Sequence, residues 1–178
     1  MTITGETAPV VATMPITAGK GKKRHILVDT LGLLLHAIVH SALVIGKSLV
    51  RRLTEAFPWD AAPKYLTRDN DGAYGEVFRR RLRSMGIRER PISPRSPWQN
   101  CYVERVIGSI RRECLDHAII WNAAHLRHIL NAYTHYYNAT RTHLGLRKDA
   151  PNHRSIERSG TIAARDILSG LHHQYCRI

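Results

Sequence analysis

Two carboxylates, Asp69 and Glu104, have the residue types and the surroundings that metal-assisted phosphate chemistry requires. Asp69 follows a short apolar run, in a segment that reads Leu-Thr-Arg-Asp-Asn-Asp-Gly, and Glu104 opens an amphipathic helix further along the chain. Carboxylate oxygens are ligands for hard divalent cations such as Mg²⁺, and a bound cation offsets the repulsion between neighbouring carboxylates. The pair therefore indicates a site that activates a nucleophile at a phosphodiester.

The same acidic residues also have a purely structural interpretation. Asp69 and Asp71 could form an Asx turn after a strand, and Glu104 could be a solvated helix residue. Spacing alone favours this interpretation. Asp71 is the second candidate for the carboxylate at the end of the strand.

The charge of the chain indicates a polyanionic partner. The 178 residues include 27 Lys and Arg against 14 Asp and Glu, a formal net charge of +13. Hydrophobic residues make up 43%, as in globular proteins, so the positive charge describes a surface and not a disordered chain. Arginines near the two carboxylates either contact DNA phosphates or form a solvated helix face. The candidate DNA contacts are Arg79, Arg80, Arg81, Arg83, Arg105, Arg111 and Arg112.

Cysteine and histidine spacing argues against a structural metal and for a reducing compartment. Three cysteines with no Cys-x-x-Cys argue against a zinc ribbon or a disulfide framework, and no signal-peptide pattern opens the chain. We therefore expect a cytoplasmic protein. The apolar stretch over 26–46 is interrupted by Asp29, His36 and His40, which disfavours a membrane span. His36 and His40 have a helical zinc spacing, but the local pattern is that of a strand, where positions four apart lie far from each other.

The amino-terminal half is expected to contain a basic arm, a hairpin and a helix. Residues 1–24 lack sustained periodicity and end in a basic run, which predicts a mobile arm. Apolar runs over 25–30 and 33–40 predict two strands joined by a tight turn. Apolar residues at helical spacing over 45–57 predict a helix that Pro58 ends.

The next elements are expected to position the two carboxylates. Residues 64–67 predict a strand, so Asp69 lies at its carboxyl end. Glycine, proline and serine increase after His143, and we predict irregular structure over 151–178. Trp98 and Gln99, just before Glu104, either contact a base or line a cleft, although burial is the common outcome for an aromatic ring. Helical stripes are predicted over 74–85, 103–114 and 126–137.

Three segments together resemble the integrase-type core of bacterial insertion-sequence transposases. They are Arg68-Asp-Asn-Asp-Gly-Ala-Tyr74, Ile92-Ser-Pro-Arg-Ser-Pro-Trp-Gln-Asn-Cys-Tyr-Val-Glu-Arg105 and Ser109-Ile-Arg-Arg-Glu-Cys-Leu-Asp116. The later segment 136–143, with Leu146 and Pro151, is similar to the part of the family that follows the catalytic helix. The resemblance covers residues 49–178. It implies a ribonuclease-H-like α/β core over 25–150, a mixed sheet flanked by helices.

The resemblance also implies a DDE triad, in which two aspartates and a glutamate bind Mg²⁺ or Mn²⁺ for DNA strand cleavage and joining. The family's second acid falls on Asp69, because its distance to Tyr74 matches, and the glutamate falls on Glu104. Residues 23–35 resemble a different DDE transposase family, in which the aspartate of Val-Asp-Thr is the first acid. Asp29 is therefore the candidate for the third ligand.

The amino-terminal strands are expected to depart from the family pattern. Only two strands can be found before the first helix where the family has three, so we predict a truncated or rearranged sheet at a junction between two transposase genes. A second departure is Cys101, where the family usually has glycine after asparagine. If this position has a positive φ, the cysteine adds strain of about 1 kcal/mol.

The function implied by the resemblance has two forms. In the first, the chain is a DDE-type polynucleotidyl transferase that acts on transposon ends and target DNA as a homo-oligomer. In the second, Asp29 does not reach the site, and the chain is a catalytically inactive transposase remnant that only binds DNA. The sequence leaves open which form is correct, and with it whether the protein is an enzyme.

Overall fold

Three antiparallel strands begin the sheet. The computed structural model describes residues 10–15, 22–29, 33–41, 50–51, 53–55, 57, 62–70 and 74–178. Strand β1 (Val10–Pro15) pairs antiparallel with β2 (Lys22–Val28), which pairs antiparallel with β3 (Leu34–Ser41). The predicted hairpin is confirmed as β2 and β3.

Two parallel strands complete the sheet. Strand β4 (Tyr65–Arg68) pairs in parallel with β1 and with β5 (Arg88–Pro91), so the strand order is β3-β2-β1-β4-β5. The strand predicted over 64–67 is confirmed. Because β4 and β5 are parallel, their carboxyl ends meet at the same edge of the sheet.

Strand β1 was not found from the sequence, and the structure corrects two expectations there. The prediction of only two strands before the first helix is wrong, and the mobile arm expected over 1–24 does not hold for Val10–Pro15. This strand lies between β2 and β4, and it is six residues long. A short central strand is stabilised by partners on both sides, so its own sequence carries little signal.

A hydrophobic core in the first part of the chain combines residues from the strands of the sheet with residues from helices. Helix α1 (Glu76–Ser84) buries Phe78 and Leu82, which join a cluster with Leu66 and Ile87. Gly86 follows the helix with a φ of 72°, a conformation that favours glycine at a helix end.

The helix expected over 45–57 is confirmed only in part. Residues 50–51 and 53–55 are helical, and Leu53 and Phe57 are buried in the same cluster. Residues 42–49 lie outside the described part of the chain.

Helix α2 (Cys101–Glu113) follows a 3₁₀ turn, Pro97–Asn100. The chain divides into two compact units, residues 1–108 and 109–178, and the boundary falls within this helix. Val103 and Val106, in the first unit, are fully buried. The apolar stripe predicted for this segment therefore faces the interior.

The second unit contains a long helix and a hairpin. Helix α3 (Ala123–Ala139) begins after Asn122, whose Oδ1 accepts a hydrogen bond from the backbone N–H of His125 at 2.9 Å. An antiparallel hairpin is formed by β6 (Ile162–Ile167) and β7 (His172–Arg177). In the described ranges, no helix combines the length and apolar character that crossing a bilayer requires.

The irregular structure expected over 151–178 is wrong for Ile162–Arg177. No residue of either strand is buried, and neither sequence alternates apolar with polar residues, which is the pattern from which strands are predicted. The hairpin is closed by backbone hydrogen bonds in both directions between Thr161 and Ile178.

Candidate catalytic and DNA-binding site

Asp69 lies directly after β4, where the guanidinium of Arg68 fixes its backbone. Arg68 is 4% exposed, and its Nη1 donates to the carbonyl oxygen of Asp69 at 2.9 Å. Its Nε and Nη2 both donate to Oε2 of Glu89, at 3.1 and 2.9 Å. A charge-assisted hydrogen bond to the carbonyl restricts the backbone of Asp69 and so limits where its half-buried carboxylate can point.

The residues after β4 and β5 are also joined by hydrogen bonds. The N–H of Ile92 donates to the carbonyl oxygen of Arg68 at 2.8 Å, and Nδ2 of Asn70 donates to the carbonyl oxygen of Ile92 at 2.8 Å. The peptide that holds Asp69 is therefore connected on both sides to the end of β5.

A second set of bonds reaches from this loop to the beginning of α2. The carboxamide of Gln99 accepts from the N–H of Ser93 at 2.8 Å and lies 3.5 Å from the Ser93 hydroxyl oxygen. Gln99 stands in the 3₁₀ turn before the helix that carries Glu104. The strand end with Asp69 and the helix start with Glu104 thus belong to one hydrogen-bonded loop system.

Glu104 lies in the first turn of α2 and is exposed. Within the described part of the chain its carboxylate makes neither a hydrogen bond nor an ion pair. The positive end of the helix dipole favours an anion at this position. Cys101, which begins the helix, has a φ of −57°, so the strain considered for this position does not arise.

Asn100 has a buried oxygen that the sequence did not single out. The residue is 2% exposed, and Oδ1 has no hydrogen-bond partner among the described residues. Leaving a buried acceptor unpaired costs about 1–3 kcal/mol, so a bound water, ion or ligand at this oxygen would be stabilising. Asn100 precedes Glu104 by four residues, about one helical turn, so a hard ligand or a substrate group near Glu104 could use this oxygen.

Asp29 closes the connection between β2 and β3. Its Oδ1 accepts from the N–H of Leu33 at 2.7 Å, and its own N–H donates to the carbonyl oxygen of Leu33 at 3.1 Å. This is the role of a turn residue, and it uses one oxygen of the carboxylate that was predicted to be the first acid.

The register of the sheet separates Asp29 from Asp69. Val10 of β1 lies opposite both Val28 of β2 and Thr67 of β4. Asp69 is two positions beyond that row and Asp29 is one position beyond it in the opposite direction. The two residues are therefore about 10 Å apart along the strands and about 10 Å across them.

The three predicted acids do not form a ready three-carboxylate site. Among the described residues, which include Asp29, Asp69 and Glu104, no group of three or more His, Cys, Asp or Glu could hold a metal ion together. Extending the register from Val11 opposite Arg68 puts Ala12 of β1 beside Asp69. Asp71, the alternative to Asp69, lies outside the described residues.

Most of the predicted DNA-binding arginines have partners within the protein. Arg79 lies 3.9 Å from Glu89, Arg83 pairs with Glu76, and Nε of Arg81 donates to Oγ1 of Thr54 at 3.1 Å. In the second unit Arg111 lies 3.6 Å from Asp116. Three of the seven are exposed and have no acidic partner among the described residues: Arg80, Arg105 and Arg112.

Residues 85–151 match the integrase core domain family. Two insertion-element proteins are similar to the chain. One, the uncharacterized 39.2 kDa protein of IS476 from Xanthomonas euvesicatoria, is 29% identical over 101 residues, 56% of this chain and 29% of that protein. The other, the uncharacterized 31.7 kDa protein of IS407 from Burkholderia multivorans, is 26% identical over 122 residues, 68% of this chain and 44% of that protein. The chain spans less than half the length of either relative.

Solved retroviral structures share the fold. The catalytic core domain of HTLV-2 integrase, solved with magnesium in a dimeric form, gives a TM-score of 0.52 at 16% identity over 76% of this chain and 90% of that one. The BIV integrase core gives 0.55 at 16% identity, over 76% and 87%. A simian T-cell lymphotropic virus intasome chain, solved with PP2A regulatory subunit B56 gamma, gives 0.56 at 19% identity, over 93% and 65%.

The comparisons show the fold of the chain and what it resembles. The ribonuclease-H-like fold is confirmed, with its mixed sheet and flanking helices. The resemblance to integrase-type insertion-sequence transposases is confirmed by the family match of residues 85–151 and by the similarity to the two insertion-element proteins. The second resemblance, of residues 23–35, and the roles of the individual acids stay predictions.

Proposed function

We propose that this chain binds DNA through its integrase core and that its catalytic site is reduced to two carboxylates, Asp69 and Glu104. The proposal is supported by the register of the sheet, in which Val11 lies opposite Arg68. Extended by one position, this register would pair Ala12 with Asp69, and Asp29 would lie three rows away. A site with two of three acids holds metal ions weakly, because each lost carboxylate removes a charged ligand. The function is then DNA binding without efficient strand cleavage.

The net positive charge of the chain and its similarity to integrases both support DNA as the partner. A net charge of +13 attracts a polyanion, and exposed arginines such as Arg80 and Arg105 supply sequence-independent phosphate contacts. The HTLV-2 core is described as dimeric and the simian viral protein as part of an intasome, so we propose a homo-oligomer on DNA. In bacteria the chromosome lies in the cytoplasm. We therefore propose that the chain is located there, together with its DNA partner.

The residues present fit one hard cation better than two. Asp69 and Glu104 would supply charged oxygens, and the buried Oδ1 of Asn100 would supply a neutral one. A bound Mg²⁺ or Mn²⁺ would activate a water or a 3′-hydroxyl and stabilise the leaving oxygen of the phosphodiester. Arg68 and Gln99 position the two carboxylates by holding the strand end and the helix start.

A second candidate function is Mg²⁺-dependent DNA strand cleavage and strand transfer, with Asp29 as the third ligand. It is favoured by the retained hydrogen bonds around Asp69 and by the magnesium in the HTLV-2 core, which shares the fold. It requires Asp29 to leave the N–H of Leu33 and the sheet to change its register. Asp69 and Glu104 have the same roles in both candidates.

Metal-dependent nicking of a supercoiled plasmid tests the proposal. The full chain is assayed with Mg²⁺ and with Mn²⁺, beside Glu104→Gln, Asp29→Asn and Ala12→Asp. We expect the unmodified chain to bind DNA and to nick no faster than Glu104→Gln. Ala12→Asp restores an acid beside Asp69 and should gain metal-dependent nicking. Thr13→Asp is the matched control, with the same added charge one position further along β1.

The outcomes separate the two candidates. Nicking by the unmodified chain that is lost in both Glu104→Gln and Asp29→Asn establishes the second candidate and overturns the reduced site. Equal nicking by Ala12→Asp and Thr13→Asp contradicts the placement of the first acid. Failure of the unmodified chain to bind duplex DNA at low salt overturns both.

A further inference from the structure

A cleft of about 700 Å³ lies entirely within the second unit. One wall comes from the segment 146–157, after helix α3, and the other comes from strand β7 through Gln174, Tyr175 and Cys176. Its volume falls within the range of small-ligand sites, about 300–1,000 Å³. No residue to which the proposed function gives a role lines this cleft.

The cations of the cleft have hydrogen-bonding capacity to spare. Arg147 and Lys148 are exposed, and their side chains make no hydrogen bond or ion pair within the described part of the chain. Nε of Arg154 is buried and has no hydrogen-bond partner among the same residues, and the nearest oxygen of the Asp149 carboxylate is 3.9 Å away. A buried donor without a partner is costly, so an anion at this nitrogen would be stabilising.

The acids of the cleft are already hydrogen-bonded. Oδ1 of Asp149 accepts from the N–H of Ala150 at 2.8 Å, and Oδ2 is paired with Nδ1 of His153. Oε2 of Glu157 accepts from the backbone N–H of Arg177 at 2.9 Å. The lining thus has three arginine and lysine cations against two carboxylates that are both engaged, and it favours an anionic ligand.

The backbone at the two exposed cations has an uncommon conformation. Arg147 and Lys148 have φ values of 55° and 66°, a region that glycine and asparagine adopt most readily. Their N–H groups donate to the carbonyl oxygens of Leu144 and His143, at 3.2 and 2.9 Å, so the turn is closed by its own backbone. A glycine or an asparagine would form this turn with less strain. The turn itself therefore does not explain why these two positions carry long cationic side chains.

We propose that the cleft binds a nucleotide whose terminal phosphate lies against Arg147, Lys148 and Arg154. Guanidinium and ammonium groups both bind phosphate, and the guanidinium can donate two parallel hydrogen bonds to it. A terminal phosphate offers three strong acceptor oxygens and can enter a cleft as far as a buried donor. The sugar and base would occupy the remaining volume, where Ile156 and the ring of Tyr175 supply exposed apolar surface.

The inference goes beyond the proposed function, because it requires neither Asp69 nor Glu104. The phosphodiesters of a duplex are a less suitable ligand for the cleft, since each has two free oxygens and is flanked by sugars. Contact with duplex DNA is therefore a separate outcome of the test.

Isothermal titration calorimetry of the full chain with adenosine monophosphate and with adenosine tests the inference. EDTA is present so that metal binding does not contribute. Adenosine monophosphate should bind with a Kd below about 1 mM, and adenosine at least about 10-fold more weakly. Arg147→Asn and Lys148→Asn should each weaken the binding of adenosine monophosphate about 10-fold or more, as expected for the loss of a hydrogen bond between charged groups.

Three comparisons separate lost charge from lost structure. Asparagine tolerates a positive φ, so Arg147→Asn should unfold at the same temperature as the unmodified chain or at a higher one. Arg147→Lys keeps the charge and should retain most of the affinity. Arg127→Gln removes an exposed arginine of α3 that does not line the cleft, and the affinity for adenosine monophosphate should not change.

Several results would overturn the inference. They are the absence of binding of adenosine monophosphate, equal affinity for adenosine, unchanged affinity in both asparagine variants, and an equal loss in Arg127→Gln and Arg147→Asn. If Arg147→Asn weakens binding of a short duplex as much as binding of adenosine monophosphate, these cations contact the DNA backbone and the nucleotide site is wrong. The proposed function fails separately, when the unmodified chain does not bind duplex DNA at low salt.

Discussion

The two ends of helix α2 carry glutamates in opposite situations. Glu104, in the first turn, is exposed and has no ionic partner in the described part of the chain. Glu113, at the last position, accepts from Arg141 at 2.6 Å and 2.7 Å and from the Tyr133 hydroxyl at 2.9 Å. One carboxylate is available to a ligand and the other is used by the fold. Glu104 and Glu113 are the same residue type in the same helix, so the difference in their hydrogen bonding comes from the side chains around each of them.

The electrostatics of the second unit follow from this pairing. Burial acts to raise the pKa of Glu113, but hydrogen bonds from Arg141 and Tyr133 outweigh it and hold the pKa below its usual value. Burial, followed by the Glu113 charge, raises the pKa of Tyr133, so the phenol stays a donor. Both side chains of the Glu113–Arg141 pair are about one quarter exposed.

The backbone of Glu113 extends the network to the hairpin. Nε2 of His172, on β7, lies 2.7 Å from the carbonyl oxygen of Glu113, and the His172 ring stacks on Tyr136 at 4.2 Å. The polar groups of Glu113 are thus all hydrogen-bonded within the second unit. The hairpin is attached to this network through His172, and not only through apolar contacts. Disrupting Glu113 should affect stability, and disrupting Glu104 should affect ligand binding.

The largest difference is expected in stability. Glu113→Gln removes the charge that Arg141 pairs with and should lower the free energy of unfolding by about 1.5–3 kcal/mol, the range for hydrogen bonds to charged groups. Glu104→Gln should change it by less than about 0.5 kcal/mol, as at other exposed sites. Urea unfolding followed by circular dichroism measures both. Equal destabilisation by the two variants would remove the distinction between the two glutamates.

Two cysteines of the same helical region should differ in reactivity. Burial raises the pKa of Cys114 from 9.0 to about 11, which lowers its thiolate fraction at neutral pH about 100-fold, whereas Cys101 is exposed. Alkylation of the native chain with iodoacetamide, followed by peptide mass spectrometry, should modify Cys101 first. Rapid modification of Cys114 under native conditions would show that the second unit opens more readily than its network implies.

Acidification should destabilise the second unit through Glu113. Its folded pKa is lowered, so its contribution to stability is complete above the unfolded value near 4.5 and is lost as the pH falls through the folded pKa. Unfolding temperatures measured between pH 7 and pH 3 should therefore fall below about pH 4.5. Glu113→Gln should show a smaller fall over that range, and an identical pH dependence in variant and unmodified chain would contradict this account.

The smallest effect concerns two arginines of α1. Arg80 is exposed without an acidic partner in the described residues, whereas Arg83 pairs with Glu76. Arg80→Gln should reduce the slope of log affinity for duplex DNA against log salt concentration by about 0.9, the value for one phosphate contact. Arg83→Gln should change it less, because Glu76 already neutralises that charge. Equal salt-dependence slopes in the two variants would show that an ion pair within the protein does not determine which arginines contact DNA phosphates.

Sequence reasoning found the elements with local signals. Strand β4, helix α1 and helix α3 follow from apolar spacing, and the position of Asp69 after β4 follows from the turn residues that come next in the sequence. Elements that depend on distant partners were missed. Strand β1 is defined by its two neighbours, and the hairpin of β6 and β7 is tied to Glu113 through His172.

Only part of the candidate site could be predicted from the sequence, because the remaining features also depend on contacts that form in the folded chain. Nothing local shows that the Asp29 carboxylate accepts a hydrogen bond from Leu33, since this depends on the turn conformation. The burial of Asn100 depends on packing around the 3₁₀ turn. The only local feature that could have identified this residue is its position four residues before Glu104. The exposure of Trp98 reverses a general tendency of aromatic residues.

The pairing of β1 with β4 involves backbone groups, and backbone groups are the same in every residue. A segment of unrelated sequence can therefore complete such a sheet, provided that it can adopt an extended conformation. Gene rearrangements that replace such a strand would preserve architecture and surface while deleting a catalytic group. Pairing of β1 with its neighbours therefore does not require that β1 carry a catalytic side chain.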